Sequence, residues 1–254
     1  MYPGWIRDVS RVRIPTPVFI FFILDVVLGV AYIFDYLAGH PYRPFAAFLD
    51  LNGEGNLPTW YSSIQWFCVA TLLGIFARNN LSPSLGKSWL FVLLPLVFLA
   101  LSLDEVAQIH EWLGRKSDKV FLPGGSRKNT PFAHTGIWML VFGVPFLAGF
   151  VALTLAIRSY FQRAPSALVK ILLGMAVTLV GALGVETFYS FVAPNSGYGI
   201  LQGFSEELCE MLGGTIVLWG SYELLARHGF TLRLERAETD QVVPPGRRSG
   251  GRKP

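Results

Sequence analysis

Trp89-Leu90-Phe91-Val92-Leu93-Leu94-Pro95-Leu96-Val97-Phe98-Leu99-Ala100-Leu101 runs directly into Ser102-Leu103-Asp104-Glu105-Val106-Ala107-Gln108-Ile109-His110-Glu111. The first part is an almost uninterrupted apolar run that reads as most of a membrane-spanning helix. The second part loads the end of that helix with three carboxylates and a histidine. A charged side chain at a bilayer centre costs about 2.5–3.5 kcal/mol on insertion scales, and less near the interface. A chain that carries this cost points to a use for the charges.

The rest of the composition agrees. The 254 residues are 52% hydrophobic and only 15% charged, against about 25% charged in soluble domains. Mean hydropathy is +0.45, which belongs with integral membrane proteins. The formal charge of +4 does not indicate nucleic acid, because the basic residues sit in loops and tails between apolar runs, where they flank membrane helices. Cys68 and Cys209 lie inside apolar segments and form no disulfide framework. There is no CxxC, P-loop, GxGxxG before a helix, or GxSxG.

A span needs about 20 residues to cross ~30 Å of hydrocarbon. Six candidates emerge, at roughly Pro17–Ala38, Trp60–Ala77, Trp89–Leu113, Thr135–Ile157, Leu168–Val192 and Phe204–Ala226. The first follows Arg7, Arg11 and Arg13, but its length, its Asp25 and its lack of a cleavage site make it an uncleaved span. Expected, then, is an all-α integral membrane bundle: an N-terminal segment over 1–13, a six-helix domain over 14–228 and a disordered basic tail over 229–254. Gly174, Gly181 and Gly184 in the fifth span, with Gly213, Gly214 and Gly220 in the sixth, suggest close helix packing. With the N-terminus inside, 15 Lys and Arg fall on the inner side and 6 on the outer. The positive-inside rule therefore predicts both termini in the cytoplasm.

On that topology the intramembrane polar residues converge on the outer leaflet. Asp35, His40 and Gln65 lie there, as do Asp104, Glu105, Gln108, His110 and Glu111. His134, Glu186, Glu206, Glu207 and Glu210 join them, while Asp25 and Glu223 fall toward the inner half. At 100° per residue, Asp104, Gln108 and Glu111 share one helix face, and His110 points away unless the helix frays. No Lys or Arg lies in the outer half of any span. The acids then need protonation, an inward-folding basic loop or a metal.

The metal reading takes Asp104, Glu105, His110, Glu111, His134, Glu186, Glu207 and Glu210 as candidate ligands of iron, manganese or zinc. Carboxylates with one or two imidazoles, drawn from several helices, suit such a site, although the Glu-x-x-His spacing of soluble di-iron bundles is absent. Plainer readings stand beside it. Glu206 and Glu207 also suit the first turn of a helix after Ser205, and the Asp104–Glu111 group suits a helix emerging into water. His110 and His134 suit an interface, and Asp25 suits either an interhelical hydrogen bond or a proton relay.

Two outer loops could frame an entrance. Asp50-Leu51-Asn52-Gly53-Glu54-Gly55-Asn56 imitates the start of an EF-hand loop, but the twelfth position is Tyr61, so a polar turn is the simpler reading. The loop from Gly114 to Pro131 carries Arg115, Lys116, Lys119, Arg127 and Lys128. It could bind lipid phosphate, fold over the acids, or simply connect.

Gly53-Glu54-Gly55-Asn56-Leu57-Pro58-Thr59-Trp60-Tyr61-Ser62-Ser63, Ser102-Leu103-Asp104-Glu105 with His110-Glu111, and Glu206-Glu207 with Glu210 together resemble a group of uncharacterised bacterial multipass membrane proteins. That group carries E-x-N-x-P-T-W-[YF]-S-S, S-L-D-E…H-E and E-E-x-x-E runs, matched here over about residues 40–225. The resemblance implies a bacterial inner (cytoplasmic) membrane and lends no activity. Four histidines do not fit the histidine-box desaturases, and the chain does not resemble alkaline ceramidases.

Three function classes follow. The leading one is a metal-dependent membrane enzyme acting on a lipid or apolar substrate at an outer-leaflet carboxylate and histidine site. The second is a cation or proton-coupled transporter or channel with Asp25 as the deeper relay. The third is a non-catalytic membrane subunit. Membrane lipid is an expected partner in all three, and oligomeric state is left open.

Overall fold

The computed structural model describes residues 14–51, 53, 55–80, 89–127, 130, 136–185, 187–188 and 199–229. All regular structure among them is helical. In chain order it comprises α1 (Thr16–Leu37), the short α2 (Arg43–Phe48), α3 (Leu57–Asn80), α4 (Trp89–Ala107), α5 (Ile109–Phe121), α6 (Val144–Ile157), α7 (Pro165–Leu179) and α8 (Gly199–Arg227). A π-helical segment, Met139–Gly143, leads into α6, and a second, Val180–Val185, continues α7.

Five helical stretches are long and apolar enough to cross a membrane: Thr16–Leu37, Leu57–Asn80, Trp89–Ala107, Met139–Phe161 and Pro165–Val185. Their packing is inside-out relative to a soluble bundle. Phe19, Ile20, Val26, Val27, Val30 and Phe34 stand exposed on α1, while Asp25 on the same helix is 0% exposed. An apolar exterior around buried polar groups suits a hydrocarbon solvent. Five such stretches are compatible with a multipass membrane protein.

α8 carries more charged residues than any of those five stretches, with Glu206, Glu207, Glu210, Glu223 and Arg227 along it. It occupies the middle of the bundle, packed by α7, α3 and α1. Its 29 residues extend about 43 Å at 1.5 Å per residue. Neighbours shield it because the α7–α8 crossing is made of glycines. A Cβ on Gly174 would lie 2.6 Å from the Gly213 carbonyl oxygen, and one on Gly220 would lie 2.7 Å from the Ala167 oxygen. Gly181 likewise meets the Glu206 oxygen at 2.8 Å. Any side chain there would push the backbones apart. Gly184 and Gly214, which the same expectation included, make only ordinary contacts.

The main departure from the expected spans is at the third. A single span over Trp89–Leu113 does not form. Gln108 adopts a left-handed conformation, φ 53° and ψ 41°, and separates α4 from α5. α5 buries Gly114, Ser117 and Asp118 and exposes Trp112, Arg115, Lys116 and Lys119. It is an amphipathic helix, which corrects the expectation of a loop beginning at Gly114.

Candidate functional site

The helix break at Gln108 builds the most distinctive geometry in the molecule. In an unbroken helix His110 would sit about 120° around the axis from Asp104. The left-handed residue, a conformation that costs an L-residue about 1–2 kcal/mol, turns the chain back. The Asp104 carboxylate then grips His110 at two points. Oδ1 accepts the His110 backbone N–H at 2.7 Å, and Oδ2 lies 2.8 Å from ring Nδ1. The first bond satisfies an amide that the start of α5 leaves without an intrahelical acceptor. With Nδ1 donating to the carboxylate, Nε2 is the basic nitrogen of the neutral ring. The imidazole lies 5.7 Å, centroid to centroid, from the Trp138 ring.

Asp104 and His110 border a cavity of about 1450 Å³. It lies between α4 and α5 on one side and α6, α7 and α8 on the other. Val97, Leu101, Phe146, Met175 and Leu179 give it apolar walls, and Glu105, Glu206, Glu207 and Glu210 give it acidic ones. Arg115, Lys116, Lys119 and Arg127 complete the lining from α5 and the segment after it. The volume exceeds the roughly 300–1,000 Å³ usual for small-molecule sites. Both π-helical segments face this space, through Phe142 and Gly143 on one and Ala182 and Leu183 on the other. Such segments are rare and recur at functional sites, because the wider turn offsets side chains that a regular helix would stack.

The acids differ in what holds them. Glu105 accepts the Trp66 indole N–H at 3.2 Å, and Trp66 is itself buried and stacked 5.7 Å from Phe98. Glu206 hydrogen bonds Gln202 and lies within electrostatic reach of His110. Glu207 instead lies within reach of Tyr32, on the α1 side. Glu111 pairs with Arg115 at 2.8 Å across one helical turn. Asp118 is buried, pairs with the Arg127 guanidinium and accepts the Ile137 N–H at 3.0 Å. Glu111 thus has its counter-ion one turn away on α5 itself, and Asp118 has one in the segment after that helix.

α3 positions the rest. Asn56 caps it: Oδ1 accepts from the Thr59 N–H at 3.2 Å and hydroxyl at 3.1 Å, and Nδ2 donates to the Asp50 and Gly53 carbonyls. This commits Asn56 to a polar turn; Asn52 and Glu54 of the EF-hand-like run lie outside the described residues. Ser63 then bonds the Ser102 hydroxyl and carbonyl of α4 at 3.1 and 2.8 Å. On the opposite face, Tyr61 and Gln65 donate to Asp25 Oδ1 at 2.6 and 2.9 Å, and Thr215 of α8 donates to Oδ2 at 2.7 Å. Within the E-x-N-x-P-T-W-Y-S-S run, Asn56 is therefore the cap and Tyr61 and Ser63 tie α3 to α1 and α4, while Gln65 just beyond the run reaches α8.

Six of the eight expected ligands, Asp104, Glu105, His110, Glu111, Glu207 and Glu210, border this cavity. His134 and Glu186 lie outside the described residues. Among the described residues, no three His, Cys, Asp or Glu side chains come together closely enough to hold a metal ion. Sequence reasoning missed Trp66 and Asp118. The second carried a signal, since Gly114, Ser117, Asp118 and Phe121 recur at helical spacing within the expected loop. Helical phase by itself sends His110 away from Asp104, and the break at Gln108 brings it back.

Fold and cavity together define a class: an all-helical chain with the apolar helices of a multipass membrane protein and a large, partly charged chamber inside its bundle. The chain belongs to the family described as Domain of unknown function (DUF8692), whose model matches residues 19–225. No curated protein and no solved structure matches it.

Proposed function

We propose that this protein binds an amphiphilic, lipid-like substrate in the α4–α8 cavity and acts on it with His110, oriented by Asp104. The observation that carries this reading is a chamber that joins apolar walls to a doubly bonded Asp–His pair. The apolar side takes up the chain of the substrate. Asp104 fixes the ring and stabilises the imidazolium, so that Nε2 can accept and return a proton. α8 forms a sixth span enclosed by its neighbours, both termini are cytoplasmic by the positive-inside count, and the cavity lies toward the outer leaflet.

A metal-dependent form of this chemistry would use the same wall. Its shell of iron, manganese or zinc would draw on His134 and Glu186 in addition to Glu105, Glu207 or Glu210. The transporter reading finds less support, because Asp25 is fully enclosed and three donors from two other helices surround it.

Comparative lipid mass spectrometry of membranes overproducing the wild type or His110→Gln tests the proposal. The expected result is a lipid species that is depleted or produced with the wild type and unchanged with His110→Gln. Identical lipid profiles at equal protein levels would refute the catalytic role. Elemental analysis of the purified protein decides its metal-dependent form: stoichiometric metal lost in Glu210→Ala supports it, and metal-free active protein rejects it.

A further inference from the structure

The cavity has a second chemical feature that the Asp–His pair does not use. Four cations enter its lining from α5 and the segment after it, and internal pairing divides them. Arg115 is matched to Glu111 and Arg127 to Asp118. Lys116 and Lys119 have no carboxylate partner among the described residues, and the Lys116 ammonium lies 5.6 Å from the centre of the Trp112 ring. The two lysines stand one turn apart on the same face of α5. The helix is anchored beside them, because Asp118, which also borders the cavity, is buried and bonded to Arg127 and to the Ile137 N–H. Both lysines border the same cavity.

We infer that Lys116 and Lys119 form a headgroup subsite for an amphiphile bearing a phosphate monoester, the chain of which enters the apolar part of the same cavity. The inference rests on the amphiphile reading above and names its substrate class. A phosphate monoester carries a charge of about −1.5 to −2 near neutral pH, which two adjacent ammonium groups balance. Lysine serves phosphate as a point charge and needs no bidentate geometry. The subsite begins six residues beyond His110, roughly 9 Å along the helix axis. The phosphate is therefore a handle that positions the substrate, and the reacting bond lies nearer the chain.

Titration of the purified full-length protein in dodecyl maltoside, read by thermal unfolding, tests this. Dodecyl phosphate, dodecyltrimethylammonium and inorganic phosphate are the probes. Dodecyl phosphate is expected to bind about tenfold tighter than the cationic amphiphile. K116Q/K119Q should erase that preference, consistent with two exposed charge contacts, and K116R/K119R should keep it. A preference unchanged in K116Q/K119Q, or none in the wild type, overturns the inference. Equal protection by inorganic phosphate overturns the lipid source and leaves a free-anion site. Leu183→Trp, which fills the cavity, separates the two levels. If it abolishes binding of both amphiphiles while neither is preferred, the cavity reading stands and the phosphate subsite falls. If no amphiphile binds at all, both fall.

Discussion

Replacing Asp25 separates a structural pin from a transport relay. The carboxylate is 0% exposed and receives Tyr61, Gln65 and Thr215 from two other helices. Hydrogen bonds inside membrane proteins average about 0.6 kcal/mol and reach about 1.7, so three are together worth about 2–5 kcal/mol. Asp25→Ala removes the acceptor for all three. Tyr61 retains the Phe21 carbonyl at 2.9 Å and Gln65 retains Met211 at 3.2 Å, which softens the loss toward the lower half of that range. Thr215, itself 0% exposed, loses the carboxylate that its hydroxyl donates to. Asp25→Asn keeps one oxygen for Tyr61 and Gln65 and should cost about 1 kcal/mol, the net worth of a typical single hydrogen bond. Reversible unfolding in mixed detergent micelles, followed by tryptophan fluorescence, measures both variants. The expected order is wild type, then Asp25→Asn, then Asp25→Ala. A loss below about 0.5 kcal/mol for Asp25→Ala, less than one average bond of this kind, refutes the pin. Proton flux in liposomes that is abolished by Asp25→Asn at unchanged stability would replace the pin with a relay.

Two further variants test the frame that holds the cavity. Gly213→Val places a side chain against Thr178 and the Gly174 carbonyl at 2.7 Å; it should separate α7 from α8 and lower the yield of folded protein, read as a collapsed monodisperse peak on size exclusion, with Gly184→Ala as the tolerated control. Asn56→Ala removes the α3 cap and should cost about 0.5–2 kcal/mol, measured by the same unfolding assay, with Asn56→Asp retaining most of the stability.

Much of the architecture was legible in the sequence because a bilayer imposes a length and a hydropathy that local composition satisfies directly. The runs beginning at Pro17, Trp60 and Trp89 needed no partner to be recognised. Gly174, Gly181, Gly213 and Gly220 also announced a close crossing, although only tertiary contact distinguishes them from Gly184 and Gly214, which make only ordinary contacts. Asp25 could be read as an interhelical bond or a relay, and its neighbours Tyr61, Gln65 and Thr215 come from positions 36 to 190 residues away. No local pattern joins them.

The stretch from Trp89 to Glu111 marks the boundary most sharply. The sequence by itself determined that an apolar helix ends in acids and a histidine, and that these charges require a partner. It could not determine which partner, since helical phase assumes an unbroken helix and sends His110 away from Asp104. The tertiary structure decided otherwise at Gln108. One residue in the left-handed region redirects α5, lets Asp104 hold His110 by ring and backbone together, and turns the cations of α5 toward the chamber. Backbone dihedrals at a break depend on what the following segment packs against, here the buried face of Gly114, Ser117 and Asp118, and that packing is a property of the folded chain rather than of the ten residues that contain the break.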